Sequence, residues 1–291
     1  MGAKRGWRRV LRIGALVGCA LLVGLGGWLV VASRPSAAAV AAMGTDARVK
    51  VERDPSNGVI RFTPASTRAV VPVGLLFFSS AMVDVVAYAP LARAAAAAGY
   101  PVILVPLKRR GLFIKSDLPD ILHVALGAVH EDERAAQWLV GGHSLGATIA
   151  IRMVTEVVAL GARSMGGLLL VGTTNPRSED LSSLKLPVTK IVATNDGLAP
   201  LANSEANRRL LPASARWVRI EGGNHSQFGW YGFQPGDHVA NISRDAQHEQ
   251  LINAVLEALR LSGDIRRPTT VPLPFAPIAP PQASAAPSAT H

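Results

Sequence analysis

The 291-residue sequence is poor in cysteine, in aromatic residues and in acidic residues. Its only cysteine, Cys19, excludes a disulfide within the chain, so the cysteine count gives no indication of a redox compartment. Aromatic residues make up 5% of the chain, and 20 acidic residues against 30 Lys and Arg give a formal net charge of +10. Half of that surplus lies in the first dozen residues, at Lys4, Arg5, Arg8, Arg9 and Arg12. A basic head before an apolar run indicates membrane topology, and we therefore predict no nucleic-acid partner.

The run that follows the basic head, Ile13–Ala32, carries no charge. Its length matches a helix that crosses a hydrocarbon core of about 30 Å, so we predict a transmembrane helix or signal anchor over residues 13–33. Only Arg34 follows on the far side. The positive-inside rule then predicts that residues 1–12 are a cytoplasmic head and that the rest of the chain lies outside the cytoplasmic membrane.

Two other interpretations of this apolar segment remain open. The small residues Ser36–Ala39 form a candidate cleavage region, in which case a signal peptide is removed and the protein is secreted. The stretch Leu16–Cys19 resembles a lipoprotein cleavage box, although the apolar run continues well past the cysteine. The run is longer than a usual signal-peptide core, which favours a retained anchor.

Beyond the anchor, apolar runs alternate with helical patterns and predict one α/β domain over residues 47–263. A tether of small residues, 34–46, precedes this domain, and a disordered Pro/Ala-rich tail, 264–291, follows it. Two alternating segments that flank Pro55–Gly58 predict an edge hairpin. Buried strands are predicted at 74–78, 101–105, 138–142, 167–171, 188–194 and 217–220, and helices at 90–98, 118–129, 145–160, 203–210 and 245–260. This alternation predicts a mostly parallel sheet with helices on both faces.

The pattern Gly142-His143-Ser144-Leu145-Gly146 lies between a predicted strand and a predicted helix. A G-x-S-x-G sequence in that setting is typical of a nucleophile elbow, in which a strained turn exposes the serine hydroxyl at the sheet edge. The similar stretch around Ser164 follows a helix and precedes a strand, and we interpret it as a connecting turn. We therefore predict that Ser144 is a nucleophile and that the Leu145 amide, at the helix N-terminus, faces a developing oxyanion.

An acid and a base for this nucleophile should lie on loops that follow later strands of the same sheet. Asp196 directly follows the strand that ends near residue 194, and His225 follows the strand that ends near residue 220. These positions predict Asp196 as the acid and His225 as the general base, with Asp180 and His238 as the alternatives.

Other residues are predicted to complete the site. The loop Ser79–Met82 should supply the second oxyanion amide, from Ala81 or Met82. Four aromatic residues crowd the loop after the base, and we predict that Phe228, Trp230 and Tyr231 contact the substrate unless they only brace the loop. His143 precedes the nucleophile and should point away from the reacting face as a supporting residue. No metal or other cofactor is predicted.

These motifs resemble the α/β-hydrolase superfamily, and most closely a group of small, often membrane-anchored bacterial hydrolases that are related to dienelactone hydrolases, the "α/β hydrolase family 5" type. The resemblance extends over residues 59–261. It rests on four tracts: Val83–Asp84 with Ala87–Leu91, Gly141–Gly146, Thr194–Gly197, and Gly222–Gly229 with its continuation at Tyr231–Gly232, Gln234 and Gly236–Asp237.

The resemblance implies an α/β-hydrolase fold, with Ser144, Asp196 and His225 as nucleophile, acid and base. Residues 172–186 are too few for a helical lid, so the fold should have no large cap. One difference concerns the oxyanion loop, because the related sequences have a Pro-Gly-Gly-like tract where this chain has Ser79–Ala81.

The sequence therefore predicts a serine hydrolase that cleaves a carboxylic ester or related acyl compound outside the cytoplasmic membrane. The small-molecule substrate would pass through an acyl-enzyme formed on Ser144. Two alternatives remain open at this point: a non-catalytic domain that uses the same fold for binding, and an acyltransferase that uses the same three residues.

Overall fold

The computed structural model describes residues 13–19, 24, 26–27, 31–65, 71–159 and 164–263. The predicted basic head (1–12), parts of the predicted transmembrane helix (13–33) and the predicted tail (264–291) lie outside the described residues. Among the residues that are described, no helix is both long enough and apolar enough to cross a bilayer.

The domain is built on one sheet of eight strands. Their bounds are β1 Val49–Arg53, β2 Ile60–Pro64, β3 Val71–Phe78, β4 Val102–Val105, β5 Ala135–His143, β6 Met165–Val171, β7 Val188–Ala193 and β8 Arg216–Ile220. The order across the sheet is β1-β2-β4-β3-β5-β6-β7-β8. The last six of these are parallel, and β1 and β2 are antiparallel at one edge, so the predicted hairpin and the mostly parallel sheet are both confirmed.

Six α-helices accompany the sheet in the part of the chain that the structure describes. They are α1 Ala37–Ala41, α2 Ala89–Ala97, α3 Ile114–His130, α4 Leu145–Ala159, α5 Leu201–Ala206 and α6 Arg244–Gly263. Successive residues of β3 point to opposite faces: Leu75 packs in the core that includes α2 and α6, and Leu76 packs in the core that includes α3 and α4. The two cores confirm the prediction of helices on both faces of the sheet.

Two helices differ from their predicted bounds. α3 begins at Ile114, four residues before the predicted start, and it contains Pro119 in its interior, where one hydrogen bond of the helix is missing. α5 ends at Ala206, and a separate 3₁₀ turn covers residues 208–210. The link between β6 and β7 contains no helix, as the sequence predicts.

Residues 34–46, predicted as a tether, are instead folded against the domain. Ser36 caps α1 through its side chain, which accepts a hydrogen bond from the Ala39 amide. Ala39 is fully buried in the core, and the Ser36 amide donates to the Trp230 carbonyl at 2.8 Å. The Arg93 Nε donates to the Ala42 carbonyl at 2.8 Å. The small residues of this segment allow close packing against the domain. Composition alone does not distinguish such a packed segment from a flexible linker.

A chain that starts at Thr45 should therefore be less stable than one that starts at Val31. The shorter chain loses the burial of Ala39 and the hydrogen bond to Trp230, at a cost of roughly 2–4 kcal/mol. For a domain of this size, that loss lowers the melting temperature by about 5–15 °C. Thermal unfolding of the two truncated proteins measures the difference, and equal melting temperatures would contradict the packing of α1.

Candidate active site

Ser144 lies in a sharp turn between β5 and α4, at the edge of the sheet where the parallel strands end. Its φ of +56° is in the left-handed region, which residues with a side chain rarely adopt. Small neighbours make the turn feasible: a Cβ at Gly142 would overlap the backbone of Gly146, and a Cβ at Gly146 would overlap the Phe78 carbonyl. Ser144 is partly exposed, so it can be reached from outside the domain.

Asp196 and His225 follow β7 and β8 and are brought together as the sequence predicts. The His225 Nδ1 lies 3.0 and 2.9 Å from the two carboxylate oxygens of Asp196. The Oδ1 of Asp196 also accepts hydrogen bonds from the amides of Leu198, at 2.9 Å, and Ala199, at 2.6 Å. Both members of the pair are buried, and these amides hold the carboxylate in a fixed position.

The other ring nitrogen of His225 is the atom that a general base would use. Since Nδ1 faces a carboxylate, the imidazole proton belongs on Nδ1, and Nε2 is left as an acceptor. Among the described residues, no group forms a hydrogen bond with the buried Nε2. The bond between base and nucleophile is often long in an enzyme without substrate and tightens when the substrate binds.

Asp237 holds the loops of the acid and the base together, a function that sequence analysis did not identify. Its carboxylate accepts from the amides of His225, at 3.2 Å, and Gly197, at 3.1 Å. It also accepts from both the amide and the hydroxyl of Ser226, at 2.7 Å each. Its only signal in the sequence is the Gly236–Asp237 dipeptide, in the loop that follows the base.

The alternative acid and base do not join this cluster. Asp180 is exposed, and its Oδ1 accepts a hydrogen bond from the Ser182 amide at 2.9 Å. Ser182 also keeps the pKa of Asp180 below its usual value. His238 is exposed, and its amide donates to Asp237. The structure therefore pairs His225 with Asp196.

Of the three backbone amides predicted for the oxyanion hole, two are free to donate a hydrogen bond and one already donates to another carbonyl. Within the described part of the chain, the amides of Leu145 and Ala81 have no hydrogen-bond partner. The Met82 amide already donates to the Arg110 carbonyl at 2.8 Å, in a turn where Met82 has a φ of +65°. This bond corrects the prediction for Met82, because an occupied amide is not available to an oxyanion.

His143 links the elbow to the loop that carries Ala81. The Tyr88 hydroxyl lies 2.8 Å from the His143 Nδ1 and accepts a hydrogen bond from the Ser80 amide at 3.1 Å. We assign the hydroxyl proton to His143, which leaves the imidazole proton on Nε2. The ring lies against that of His225, with centroids 4.3 Å apart. Burial, and secondarily the nearby His225, hold the pKa of His143 well below 6.5, so this second imidazole is neutral.

Replacing Tyr88 by Phe should slow catalysis and reduce stability. The change leaves the Ser80 amide and His143 Nδ1 buried without a partner, at a cost of about 1–3 kcal/mol of unfolding free energy. Loss of the bond to Ser80 also loosens the loop that presents Ala81, so kcat should fall by about tenfold while KM changes little. Tyr100→Phe removes the same atom from a partly buried tyrosine at the opposite edge of the sheet and is the control. Equal kcat values for the two variants would show that the hydrogen bonds of the Tyr88 hydroxyl do not contribute to catalysis.

Only one of the three aromatic residues predicted to contact the substrate lines a pocket. Phe228 is buried beside the His143 ring, with centroids 5.3 Å apart, and Trp230 packs against His248 at the same spacing. Neither lines the pocket, which corrects their assignment and favours a bracing function. Tyr231 does line a pocket of about 270 Å³. The other lining residues are Ala32, Ser33, Met82, Val83, Leu198, Phe233, Gln234 and Pro235.

This pocket lies next to the predicted catalytic groups. Met82 follows Ala81 directly, and Leu198 donates its amide to Asp196. The volume is just below the range of about 300–1,000 Å³ that is usual for small-molecule sites. The aromatic and aliphatic side chains in the wall suit a short apolar group.

Comparison with protein families supports the relationship that the sequence motifs indicate. The model of the "Alpha/beta hydrolase family" matches residues 74–249. The match includes Ser144, Asp196 and His225. A search of curated proteins found no match.

Solved structures with the same fold include several esterases. Est1E from Butyrivibrio proteoclasticus is 11% identical, with a TM-score of 0.50 over 73% of this chain and 99% of that chain. A fungal esterase from Rhizomucor miehei is 17% identical, with a TM-score of 0.52 over 77% and 88% of the two chains. A mutant of the esterase rPPE is 17% identical, with a TM-score of 0.51 over 78% and 85%. At these identities the likeness concerns the fold.

Proposed function

Because the chain belongs to the alpha/beta hydrolase family, we propose that it is a serine hydrolase that cleaves carboxylic esters with Ser144, His225 and Asp196. The observation that carries this proposal is the buried His225–Asp196 pair together with a serine in a strained elbow, whose neighbour His143 lies against the His225 ring. The φ of +56° at Ser144 costs about 1–3 kcal/mol, and backbone strain of this kind clusters at active sites.

In the proposed reaction, the Ser144 Oγ attacks the ester carbonyl carbon while His225 Nε2 takes its proton. The amides of Leu145 and Ala81 stabilise the negative charge on the carbonyl oxygen. The tetrahedral intermediate then breaks the bond to the alcohol, which leaves with the proton from His225. Water then loses a proton to His225 and attacks the acyl group on Ser144. The bond from the acyl carbon to Oγ breaks, His225 returns its proton to Oγ, and the carboxylic acid leaves.

The pocket favours a short acyl group. Its volume of about 270 Å³ lies below the usual range for small-molecule sites. Met82, Leu198 and Tyr231 supply an apolar wall beside the catalytic groups, and no groove for a long chain is needed. We therefore propose esters of short-chain acids as substrates.

We also propose that residues 13–33 are retained as a membrane anchor, with the N-terminus in the cytoplasm and the domain outside. The uncharged run and the basic head support this orientation. Cleavage within Ser36–Ala39 would remove Ala32 and Ser33 from the pocket wall, which favours retention over secretion. Mass spectrometry of the native protein tests the proposal, and an N-terminus near Val40 would contradict it.

A panel of p-nitrophenyl esters, combined with a fluorophosphonate probe, tests the enzymatic proposal. The probe should label the full-length protein, and acetate to hexanoate esters should be hydrolysed faster than palmitate. Absence of both labelling and hydrolysis would indicate a binding domain. Labelling with faster palmitate turnover would leave the nucleophile in place but contradict the short acyl pocket.

A further inference from the structure

Exposed large apolar side chains are unevenly distributed over the domain. Outside the apolar N-terminal segment, residues 13–32, the described residues include six of them. Val40 lies on α1, and the other five, with exposed fractions from 37% to 77%, are Leu112, Phe113, Leu198, Phe233 and Val239. We call these five residues the apolar rim. All of them lie in loops that follow β4, β7 and β8, at the sheet edge that holds Ser144, Asp196 and His225. Single exposed apolar residues are common, but five of the six at one edge of the sheet mark an interaction surface.

One part of the apolar rim is braced against the proposed oxyanion hole. Arg109 and Arg110 have φ values of +48° and +53°, and these left-handed residues turn the chain just before Leu112 and Phe113. A Cβ at Gly111 would come within 2.7 Å of the Leu145 side chain. Leu112 and Phe113 nevertheless remain 62% and 57% exposed, so the loop fixes these two side chains in the solvent beside the site.

The apolar N-terminal segment ends in the wall of the pocket. The Ala32 carbonyl accepts a hydrogen bond from the Gly232 amide at 2.8 Å, and the Ser33 carbonyl accepts one from the Asp84 amide at 3.3 Å. The Arg110 guanidinium donates to the Ser33 hydroxyl at 3.0 Å. Ala32 and Ser33 both line the pocket. No tether therefore separates the end of the apolar segment from the substrate site.

This placement sets the distance of the pocket from a bilayer. If residues 13–32 cross the membrane, a pocket that contains Ala32 lies within about one helical turn, ~5 Å, of the hydrocarbon core. The apolar rim surrounds the same edge, and the exposed cations Arg34 and Lys115 adjoin it, as suits anionic lipid phosphates.

From these contacts we infer that the active-site edge of the domain rests on the bilayer surface and that the substrate is an ester that resides in the membrane. This inference depends on the proposed esterase activity and on the proposed membrane anchor, and it specifies the substrate class. The short acyl group enters the pocket, while the alcohol portion is a lipid that stays in the bilayer. The apolar rim enters the interface and shortens the path of the ester from the membrane to Ser144.

Two esters that share one acyl group test the inference. Full-length protein is reconstituted in vesicles of phosphatidylcholine with phosphatidylglycerol, and butyrate release is measured from hexadecyl butyrate in the vesicles and from dissolved p-nitrophenyl butyrate. Leu112→Asp/Phe113→Asp places two charges in the apolar rim, outside the pocket. Ala213→Asp/Ser214→Asp adds the same charge at exposed positions before β8, at the opposite edge of the sheet, and is the matched control.

The rim variant should lose at least about tenfold in the hydrolysis of hexadecyl butyrate, since two apolar side chains no longer enter the interface. Its hydrolysis of p-nitrophenyl butyrate should stay within about twofold of the unmodified protein. The control should retain both activities. Hydrolysis of the dissolved ester without hydrolysis of the vesicle ester would overturn the membrane substrate and leave the esterase intact. Equal rates of hexadecyl butyrate hydrolysis in the rim variant and the control variant would also overturn the membrane substrate. Inactivity of the unmodified protein on both esters would overturn the esterase proposal itself.

Discussion

Replacing Ser144 by Ala should abolish fluorophosphonate labelling and reduce ester turnover by about 10⁴- to 10⁶-fold. The loss is this large because the acyl-enzyme forms on the serine oxygen, and no other nucleophile takes over that step. Ester binding depends on the pocket and the oxyanion amides and should be retained. Labelling followed by gel fluorescence, and the turnover of p-nitrophenyl butyrate, measure the two effects.

Ser164 provides the control that the chain itself offers. Its surroundings, Ala162–Gly166, are close to the same five-residue pattern, but Ser164 precedes β6 at the opposite end of the sheet. Ser164→Ala should keep both labelling and turnover. If Ser144→Ala is still labelled, or if Ser164→Ala is not, the nucleophile has been assigned to the wrong serine. Removal of the side chain should also relieve little strain, because alanine at a φ of +56° is as unfavourable as serine.

The sequence predicts the sheet and the elbow well because both depend on local patterns. The runs from Leu75 to Phe78 and from Leu168 to Val171 are buried on both faces, and continuous apolar runs of that kind are typical of parallel strands. Ser144 is recognisable because its turn requires glycine at 142 and 146, which leaves a fixed spacing in the sequence.

The parts that the sequence does not predict depend on contacts between distant residues. Tyr88 and His143 are 55 residues apart, and neither carries a local signal for a hydrogen bond between them. The occupation of the Met82 amide depends on the carbonyl of Arg110, which lies in another loop. Residues 34–46 resemble a linker by composition, yet Ala39 is fully buried in the core. Packing of this kind is decided by tertiary structure, which a one-dimensional pattern does not contain.

Replacing Asp196 by Asn should reduce kcat by about 10⁴-fold with little change in KM. The amides of Leu198 and Ala199 both donate to Oδ1, so the oxygen of the new side chain should stay at that position. The amide nitrogen would then replace Oδ2, the atom that lies 2.9 Å from His225 Nδ1. A donor at that position forces the imidazole proton onto Nε2, and His225 can no longer accept the proton of Ser144.

Two further aspartates distinguish this chemical role from a structural one. Asp180→Asn should be mild, because Asp180 is exposed and, among the described residues, accepts a hydrogen bond only from the neighbouring Ser182. Asp237→Asn should lower the melting temperature as well as kcat, because its carboxylate accepts several hydrogen bonds that join the loops of Gly197 and His225. Asp196→Asn should instead leave thermal unfolding nearly unchanged, since its shape is conserved and its bonds to the two amides remain. A severe loss of kcat in Asp180→Asn, with activity within tenfold of normal in Asp196→Asn, would move the acid to the loop after β6.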